Sequence, residues 1–256
     1  CLPNPKTVRD WAKGSGWRSK SDRQDALMLA QYGSEKQPAP QDELPPHVRE
    51  LDDLLRRRTD IEQVRQSENN RLKGYQQRPH PSQPVIQSLE RSIASLDAEL
   101  TALEQAIKEL VNGNLELKQR VRQLRTVPGV GTRIALPLLV ILYRWQARTQ
   151  GQGSAKGLVA FLGLDPQTFQ SGTSVYKRAT ISRMGDGHIR SLLYMGALGG
   201  IRGDNPLRIF YQRLVGRNKA KRLALVASAR KILVWAWAVF HSNSNFDSSL
   251  FAPSPA

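Results

Sequence analysis

Residues 86–124 read IQSLERSIASLDAELTALEQAIKELVNGNLELKQRVRQL, and this stretch decides the fold class. Its apolar side chains recur at two interleaved positions, a and d, of a seven-residue repeat. The a positions hold Ile86, Ile93, Leu100, Ile107, Asn114 and Val121, and the d positions hold Leu89, Leu96, Leu103, Leu110, Leu117 and Leu124. The pattern predicts an unbroken coiled-coil helix about 58 Å long, and a single Asn at an a position favours a two-stranded coil in one register.

The coil needs a partner, which is either a second copy of the chain or an earlier helix of the same chain. Residues 46–77 predict such a helix, ended by the proline-rich stretch RPHPSQP at residues 78–84. The apolar stripe of this helix, Val48, Leu51 and Leu55, is interrupted by Arg58. We therefore expect an intermolecular coil that makes the protein a homo-oligomer, with an intrachain hairpin as the alternative.

Charge divides the chain of 256 residues into three regions. Residues 1–40 hold 7 basic and 4 acidic side chains, residues 41–125 hold 14 of each, and residues 126–256 hold 17 and 4. The net charge of +16 therefore lies mainly in the last region, which carries +13. Such an excess of one sign predicts that the C-terminal half contacts a polyanion, most simply nucleic acid.

Composition also excludes several kinds of protein and site. The longest apolar runs, residues 134–143 and 232–240, fall short of the roughly 20 residues that cross a bilayer, so no membrane partner is expected. The lone Cys1 excludes an internal disulfide and a cysteine-based zinc site, and the four histidines are too scattered to form a spaced ligand set. These features are typical of a protein of the reducing cytoplasm.

Residues 21–26 (SDRQDA) contain the first candidate site. Ser21 is a favourable N-cap for the helix that follows, which places Asp22 and Asp25 on one face of its first turn. Two carboxylates in this arrangement could bind a divalent cation such as Mg²⁺ and leave positions open for phosphate oxygens. The alternative is that both acids simply complement the helix dipole.

Residues 127–131 (VPGVG) and the apolar stretch after them have the form of a helix-hairpin-helix. Gly129 and Gly131 allow a tight turn that directs backbone N–H groups towards a DNA phosphate, and Arg133 could add a positive charge. Pro137 fits this interpretation only if it lies in the first turn of the second helix. A plain interhelical turn is the alternative.

Ser171 is a candidate nucleophile, because it precedes Gly172 in a segment that we interpret as a flexible loop. A hydroxyl that attacks a phosphodiester needs such an exposed backbone position, and nearby cations must neutralise the charge that develops on phosphorus. The cations expected to do so are Lys177, Arg178, Arg183 and Arg190. The Ser-Gly pair taken alone also suits an ordinary turn.

Residues 217–222 (RNKAKR) open a long helix that becomes apolar towards its end. The basic residues of this segment are candidate phosphate contacts: Arg217, Lys219, Lys221 and Arg222. The tryptophans Trp235 and Trp237 of the same helix are interpreted as core. In the preceding predicted helix, the glycines are interpreted as close-packing contacts or a helix end: Gly196, Gly199 and Gly200.

Taken together, these segments resemble the IS110 family of insertion-sequence transposases, to which the Piv invertase is related. The resemblance rests on motifs that occur in matching order along nearly the whole chain. They are residues 21–26 (SDRQDA), the coiled-coil segment, residues 127–131 (VPGVG), residues 162–166 (LGLDP), residues 170–172 (QSG), and residues 181–185 (ISRMG) with Arg190. Each motif is weak alone, but their combination is specific.

The resemblance implies a mainly α-helical chain with four parts. These are the tail of a RuvC-like (RNase H) α/β domain at residues 1–40, a coiled-coil spacer at 41–125, a helical transposase domain with a helix-hairpin-helix at 126–245, and a disordered tail at 246–256. It also implies that Asp22 and Asp25 are the last two acids of an Asp-Glu-Asp-Asp set that binds Mg²⁺. Ser171 would link covalently to DNA, at a site shared between protomers, and a structured guide RNA would pair with donor and target DNA.

By the same resemblance, the first two acids of the set would precede Cys1, so we expect the chain of 256 residues to be inactive by itself. The expected setting is the bacterial or archaeal cytoplasm, at the nucleoid. The rival hypothesis is a non-enzymatic, dimeric nucleic-acid-binding protein that uses only the helix-hairpin-helix and the basic helices. Such a protein needs neither Ser171 nor the two aspartates.

Overall fold

The computed structural model describes residues 3–18, 21–171 and 175–249, and it is mainly helical, as predicted. The elements in chain order are α1 (Pro5–Gly14), α2 (Asp22–Lys36), α3 (Pro46–Gln76), α4 (Gln83–Gly113), α5 (Leu115–Leu124), α6 (Thr132–Arg148), α7 (Ala155–Phe161), β1 (Pro166–Ser171), β2 (Val175–Ile181), α8 (Gly187–Gly200), α9 (Pro206–Gly216) and α10 (Lys221–Ser242). They group into two compact units, one of residues 1–43 with 145–152 and one of residues 44–144 with 153–256.

The smaller unit contains α1 and α2. Asn4 caps α1 by accepting a hydrogen bond at its side-chain oxygen, and Pro5 supplies the fixed φ that suits a first helical residue. The rings of Trp11 and Tyr32 meet edge to face with their centroids 5.1 Å apart, which holds the two helices together. Within residues 3–18 and 21–43 there is no strand. The RuvC-like character of this region therefore stays a prediction.

In the larger unit, α3 and α4 pack as an antiparallel hairpin, which is the intrachain alternative for the coil. Arg65 of α3 pairs with Asp97 of α4 at 2.6 Å, and Arg57 pairs with Glu99 at 3.5 Å. The buried a-position side chains of α4 are Ile86, Leu100 and Ile107. The d-position leucines of α4 are only half-buried, so the chain itself covers part of the seam. A second copy on the remainder stays a prediction.

The long helix is interrupted at Asn114, so the prediction of one unbroken coil is wrong at this point. α4 ends at Gly113, and Asn114 has an extended backbone with φ −114° and ψ 111°. Its side chain accepts a hydrogen bond of 2.9 Å from the Leu117 N–H and caps α5. Asparagine is a strong N-cap because its oxygen satisfies an N–H that a helix start leaves without an intrahelical partner.

The core of the larger unit surrounds α10, which packs against α5, α7, α8 and α9. Trp235 and Trp237 are buried there, as predicted. Among the described residues, α10 is the one helix that is long and apolar enough to cross a membrane, and 61% of its apolar window is buried inside the protein. Burial on this scale is typical of a core helix, and it supplies the main favourable term in folding.

α5 is fastened to the end of α10 by side chains that donate hydrogen bonds to backbone carbonyls. Arg120 donates to the carbonyl of Phe240 at 2.7 Å, and the Gln123 amide donates to the carbonyl of Asn243 at 2.7 Å. Asn243 has φ +52° and ends α10 in the left-handed conformation that asparagine tolerates better than most residues. α5 is therefore part of the core unit rather than a free continuation of the coil.

Tyr143 of α6 makes a second tie to α5. Its hydroxyl donates a hydrogen bond of 2.5 Å to the Glu116 carboxylate. Burial and this hydrogen bond raise the pKa of Tyr143 far above its ordinary value of 10.0. The physical reason is that a tyrosinate would lie in a poorly solvated site beside another negative charge.

Pro137 lies inside α6 and not in its first turn, so the condition set for the helix-hairpin-helix interpretation is not met and that interpretation stays a prediction. α6 begins at Thr132, which places Pro137 in the second turn and removes the hydrogen bond that the Arg133 carbonyl would otherwise accept. The cost of a proline in a helix interior is about 3 kcal/mol. Burial of the surrounding apolar residues, including Leu138 and Leu139, offsets that cost.

Candidate functional site

Ser171 lies at the end of a β-strand, so its interpretation as part of a flexible loop needs correction. β1 and β2 form an antiparallel pair in which Ser171 pairs with Val175 and Phe169 pairs with Lys177. The segment VYKRATI of β2 is rich in β-branched and aromatic residues, which favour a strand. Residues 172–174, and the side chains of residues 168–179, lie outside the described part of the chain. Ser171, Lys177 and Arg178 are therefore placed by their backbone alone.

The two chain segments that lead into this hairpin cross at very close range. Gly163 has φ +67° and Gly185 has φ +75°, values that favour glycine. A Cβ atom on Gly163 would lie 2.1 Å from the Met184 carbonyl oxygen, and one on Gly185 would lie 2.2 Å from the Phe161 carbonyl oxygen. The crossing therefore has room for backbone only, and it explains both glycines.

Arg190, a predicted nucleic-acid contact, closes the base of the hairpin. Its Nη1 atom donates to three backbone carbonyls, those of Leu162 at 3.1 Å, Met184 at 2.8 Å and Gly185 at 3.1 Å. Hydrogen bonds from a charged donor are stronger than those between neutral groups. The guanidinium is half-buried and engaged within the protein, so its main contribution is to join α8 to both segments of the crossing.

Hydrogen bonds between Asp165 and Ser182 also stabilise the base of the hairpin. The Ser182 N–H donates to the Asp165 carbonyl at 3.0 Å, and the Ser182 hydroxyl donates to the Asp165 carboxylate. These two residues immediately flank the strands, since β1 begins at Pro166 and β2 ends at Ile181. The hairpin is thus fixed at its root, and the backbone of Ser171 stands at the opposite end.

Asp22 and Asp25 occupy the first turn of α2, as predicted. Ser21 caps this helix by accepting a hydrogen bond of 3.3 Å from the Gln24 N–H. Asp22 is exposed and Asp25 is half-buried, so both carboxylates can offer the hard oxygen ligands that Mg²⁺ prefers. Over the described ranges, no group of three or more His, Cys, Asp or Glu residues is arranged to hold a metal ion. The two carboxylates are ligands of the type that Mg²⁺ prefers, but two residues are too few to form a complete site.

The turn at residues 127–131 is packed against α8, with Gly129 at φ +90°. A Cβ atom on Gly196 would lie 2.5 Å from the Gly129 carbonyl oxygen, and one on Gly200 would lie 2.9 Å from the Gly129 Cα. The prediction of close packing is confirmed for Gly196 and Gly200, whereas Gly199 has open space around it. Since packing explains Gly129, a phosphate contact at this turn would rest on Gly131 and Arg133, which are exposed.

The remaining predicted cations are exposed side chains of the larger unit. Arg183 lies beside the hairpin base, Arg217 and Lys219 lie between α9 and α10, and Lys221 and Arg222 open α10. α10 starts at Lys221, four residues later than the basic segment suggested, because Asn218 adopts φ +58° and interrupts the helix. Within the described ranges, none of these five cations is ion-paired with a carboxylate. Their charges are available to a polyanion.

Sequence reasoning missed two further cations, Lys108 and Arg125, which lie at a cleft together with Arg133. Both belong to residues 41–125, where basic and acidic side chains are equal in number. A regional net charge of zero therefore concealed them. The signal that could have found them is local, since Arg125 directly precedes the predicted turn at residues 127–131.

Residues 121–212 match a family described as Transposase IS116/IS110/IS902, and residues 1–81 match an IS110-type DEDD transposase family. The chain is 31% identical over 254 residues to the pilin gene-inverting protein of Moraxella lacunata, which covers 97% of this chain and 74% of that protein. The Moraxella bovis protein of the same name gives the same values. The IS110 uncharacterized 43.6 kDa protein of Streptomyces coelicolor is 28% identical over 174 residues, 65% of this chain and 41% of that protein.

Proposed function

The chain belongs to the IS110-type family of transposases and DNA-inverting proteins, and on that basis we propose that it cuts and rejoins DNA with Ser171 as nucleophile. One observation carries the proposal. The segment that matches the transposase family, residues 121–212, contains the β1–β2 hairpin with Ser171 at the end of β1 and the base that fixes it.

In the proposed step, the Ser171 hydroxyl oxygen attacks the phosphorus of a DNA phosphodiester. A new phosphorus–oxygen bond forms while the bond from phosphorus to one deoxyribose oxygen breaks. The serine proton passes to a base, and the departing oxygen takes up a proton. A second deoxyribose hydroxyl then attacks the phosphoserine and restores a phosphodiester, so the number of phosphorus–oxygen bonds is conserved and no external energy source is required.

The register of the hairpin suggests which cation assists. Lys177 pairs with Phe169, which precedes Ser171 by two residues, or about 7 Å along an extended strand. That spacing brings the Lys177 backbone close enough for its long side chain to reach a phosphate at the serine. A cation there would neutralise the charge that develops on phosphorus in the transition state.

The hairpin base has a positioning role in this proposal. Arg190, Gly163 and Gly185 hold the two segments at a fixed crossing, and the Asp165–Ser182 bond fixes the strand ends. A nucleophile held in near-attack geometry avoids much of the entropic cost of a bimolecular step. Arg190 is therefore proposed as a positioning residue and not as a phosphate contact.

Asp22 and Asp25 are proposed to contribute two ligands to Mg²⁺, which when bound would polarise the phosphate and lower the pKa of bound water. Their oxygen chemistry suits that ion. A catalytic centre needs more protein ligands than this pair.

We further propose a structured guide RNA, pairing with donor and target DNA, and assembly as a homo-oligomer through the α3–α4 hairpin. The proposed division of the chain is a RuvC-like tail at residues 1–40, a helical spacer at 41–125, a transposase domain at 126–245 and a C-terminal tail at 246–256. The bacterial or archaeal nucleoid is the proposed setting. The exposed cations of the larger unit support a nucleic-acid partner of either kind.

The nucleophile is tested by trapping a covalent complex. The protein as its gene encodes it is produced in cells that carry its DNA substrate, and lysates are denatured before protein–DNA adducts are isolated. The adduct should form with the wild type, map to Ser171 by mass spectrometry, and disappear in Ser171→Ala. An adduct should persist in Ser92→Ala, a matched control at an exposed serine of α4.

DNA binding measured in parallel separates catalysis from recognition. Ser171→Ala should bind DNA as the wild type does, because it removes one hydroxyl. If the catalytic site is shared between protomers, Ser171→Ala mixed with Asp25→Asn should recover some recombination. A wild type without any adduct, or an adduct that survives in Ser171→Ala, would contradict the nucleophile and favour a non-enzymatic binding protein.

A further inference from the structure

A cleft of about 640 Å³ opens in the larger unit between the α3–α4 hairpin and the helices α5, α6 and α8. Its apolar walls come from four different helices: Ile107 and Val111, Val121, Leu136 and Leu192. Ile107 is buried, and the other four side chains are half-buried. This volume lies within the range of about 300–1,000 Å³ that is usual for small-ligand sites.

Positive charge lines the same cleft. Lys108, Arg125 and Arg133 are exposed, and within the described ranges none of the three forms an ion pair with a carboxylate. The fourth cation, Arg58, lies 3.9 Å from Glu62 and is largely compensated by it. Glu104 is the second carboxylate of the lining, and His188 lies at the α8 wall. The cleft thus combines apolar walls with a net positive charge.

We infer that this cleft receives one unpaired nucleotide of the bound nucleic acid, with its base on the apolar walls and its phosphate at Arg125 and Arg133. The inference rests on the proposed function, because it assumes a nucleic-acid partner. Arg133 already belongs to the proposed phosphate contact at the start of α6, so the cleft continues that contact. A base that leaves the stack loses stacking energy, and an apolar pocket that encloses it returns part of that energy.

The chemistry of the lining favours a nucleotide over other anions. A free phosphate would use the cations but not the apolar walls, and a regular duplex would reach the rim but not the interior. An apolar peptide would leave the three cations without partners. An unpaired nucleotide uses both parts of the lining, since it combines a flat apolar surface with a negative charge.

The test measures binding to a perfect duplex and to the same duplex with a single-base bulge, in DNA and in RNA. Ser171→Ala protein is used, so that no cleavage disturbs the equilibrium and the result is independent of the nucleophile. The bulged form should bind about tenfold more tightly, which is the effect expected for one stacked base. Comparison of the DNA and RNA arms identifies which nucleic acid supplies the nucleotide.

Two variants at the C-terminal end of α5 provide a matched comparison, since Arg122 lies in its last turn and Arg125 directly follows it. Arg125→Gln and Arg122→Gln each remove one exposed positive charge, but only Arg125 lines the cleft. The preference for the bulge should be lost in Arg125→Gln and kept in Arg122→Gln. With 5-iodouracil at the bulge, light should crosslink the base to peptides that contain Val111, Val121 or Leu192.

Three results would overturn the inference. The first is that the Ser171→Ala protein binds bulged and perfect duplexes equally well. The second is that Arg125→Gln and Arg122→Gln lose the preference for the bulge to the same extent, and the third is that the crosslinks map away from the cleft. Failure of the covalent-adduct experiment would leave the bulge preference untouched, so the nucleophile and the cleft can fail separately. If the protein bound no nucleic acid at all, both the proposed function and the proposed role of the cleft would be wrong.

Discussion

The Nη1 atom of Arg190 lies 2.8 Å from the carbonyl oxygen of Met184, which makes α8 part of the base of the β1–β2 hairpin. The neighbouring Arg183 belongs to the same segment but is exposed. Two arginines that look equivalent in the sequence thus differ in role. Arg190 supports the backbone at the base of the hairpin that carries the proposed nucleophile, and Arg183 offers its charge to solvent or to a polyanion.

Arg190→Gln should lower the free energy of unfolding by about 2 kcal/mol, because it removes charge-assisted hydrogen bonds to half-buried carbonyls. It should slow adduct formation more than it weakens DNA binding. Arg183→Gln is the matched control. It should leave the free energy of unfolding unchanged and weaken DNA binding. Chemical denaturation, together with separate measurements of DNA affinity and adduct rate, checks this prediction. Arg190→Lys should restore part of the adduct rate, and equal binding defects in both Gln variants would contradict the positioning role.

Gly196→Ala should destabilise the larger unit by about 1–3 kcal/mol, because a methyl group would meet the Gly129 carbonyl at 2.5 Å. Gly199→Ala is the control, since it lies in the same helix with open space around it. That change should be neutral or stabilise the helix by up to about 1 kcal/mol. Thermal melting of the two variants measures the difference, and equal melting temperatures would show that the turn can move away from α8.

Asn114→Ile should lower the free energy of unfolding by about 1 kcal/mol, because α5 loses its N-cap. Asn114→Asp should be tolerated, since aspartate accepts the same hydrogen bond from the Leu117 N–H and suits a helix N-terminus. Denaturant titration of both variants provides the measurement. If Asn114 were instead a buried asparagine of a coiled coil, replacing it by isoleucine would raise the free energy of unfolding. A stabilised Asn114→Ile variant would therefore favour the prediction of an unbroken coil.

The basic segment at the start of α10 should govern the salt dependence of DNA binding. Replacing Arg217, Lys219, Lys221 and Arg222 by glutamine should reduce the slope of log affinity against log salt by about 0.9 for each DNA phosphate that the protein no longer neutralises. The control is the pair Arg57→Gln and Arg65→Gln, whose charges are already matched by Glu99 and Asp97. Binding titrations over a range of salt concentrations provide the measurement, and an unchanged slope in the α10 variant would place the phosphate contacts elsewhere.

Tyr143 should make stability depend on pH in the alkaline range. Its pKa is raised above 10.0 in the folded state, so the unfolded chain releases this proton first as pH rises. The stabilisation is therefore complete below about pH 10 and is lost progressively above it. Tyr143→Phe should be about 1 kcal/mol less stable than the wild type at neutral pH, and this gap should narrow as pH rises above about 10. A gap that stays constant with pH would contradict the raised pKa.

Local patterns predicted most of the helices but not how they associate. The proline-rich residues 78–84 ended α3 as expected, and Ser21 caps α2 as expected. The break at Asn114 was missed because this N-cap residue occupies an a position. The seven-residue repeat therefore continues on both sides of it without a shift. The preceding Gly113 was the available signal, since a Gly-Asn pair often ends one helix and starts another.

The candidate site was predictable in its residues but less so in their roles. Ser171 and the two aspartates were recognised from motifs, but the strand that carries Ser171 is only six residues long, too short for a clear periodicity. The role of Arg190 could not be predicted because its partners are backbone carbonyls, which leave no trace in residue type. The cleft at Arg125 was equally hidden, because its lining combines residues from five helices, between Arg58 of α3 and Leu192 of α8.

The interruption at Asn114 separates two mechanical parts of the chain. α5 is fixed to α10, whereas the outer hairpin, between Ile61 and Leu100, is held by contacts of α3 with α4. Deleting one heptad from each of these helices would shorten the hairpin by about 10 Å and keep its phase. The hairpin can thus act as a spacer whose length is set independently of the domain that carries it. The α3–α4 hairpins of relatives could be exchanged without rebuilding the core.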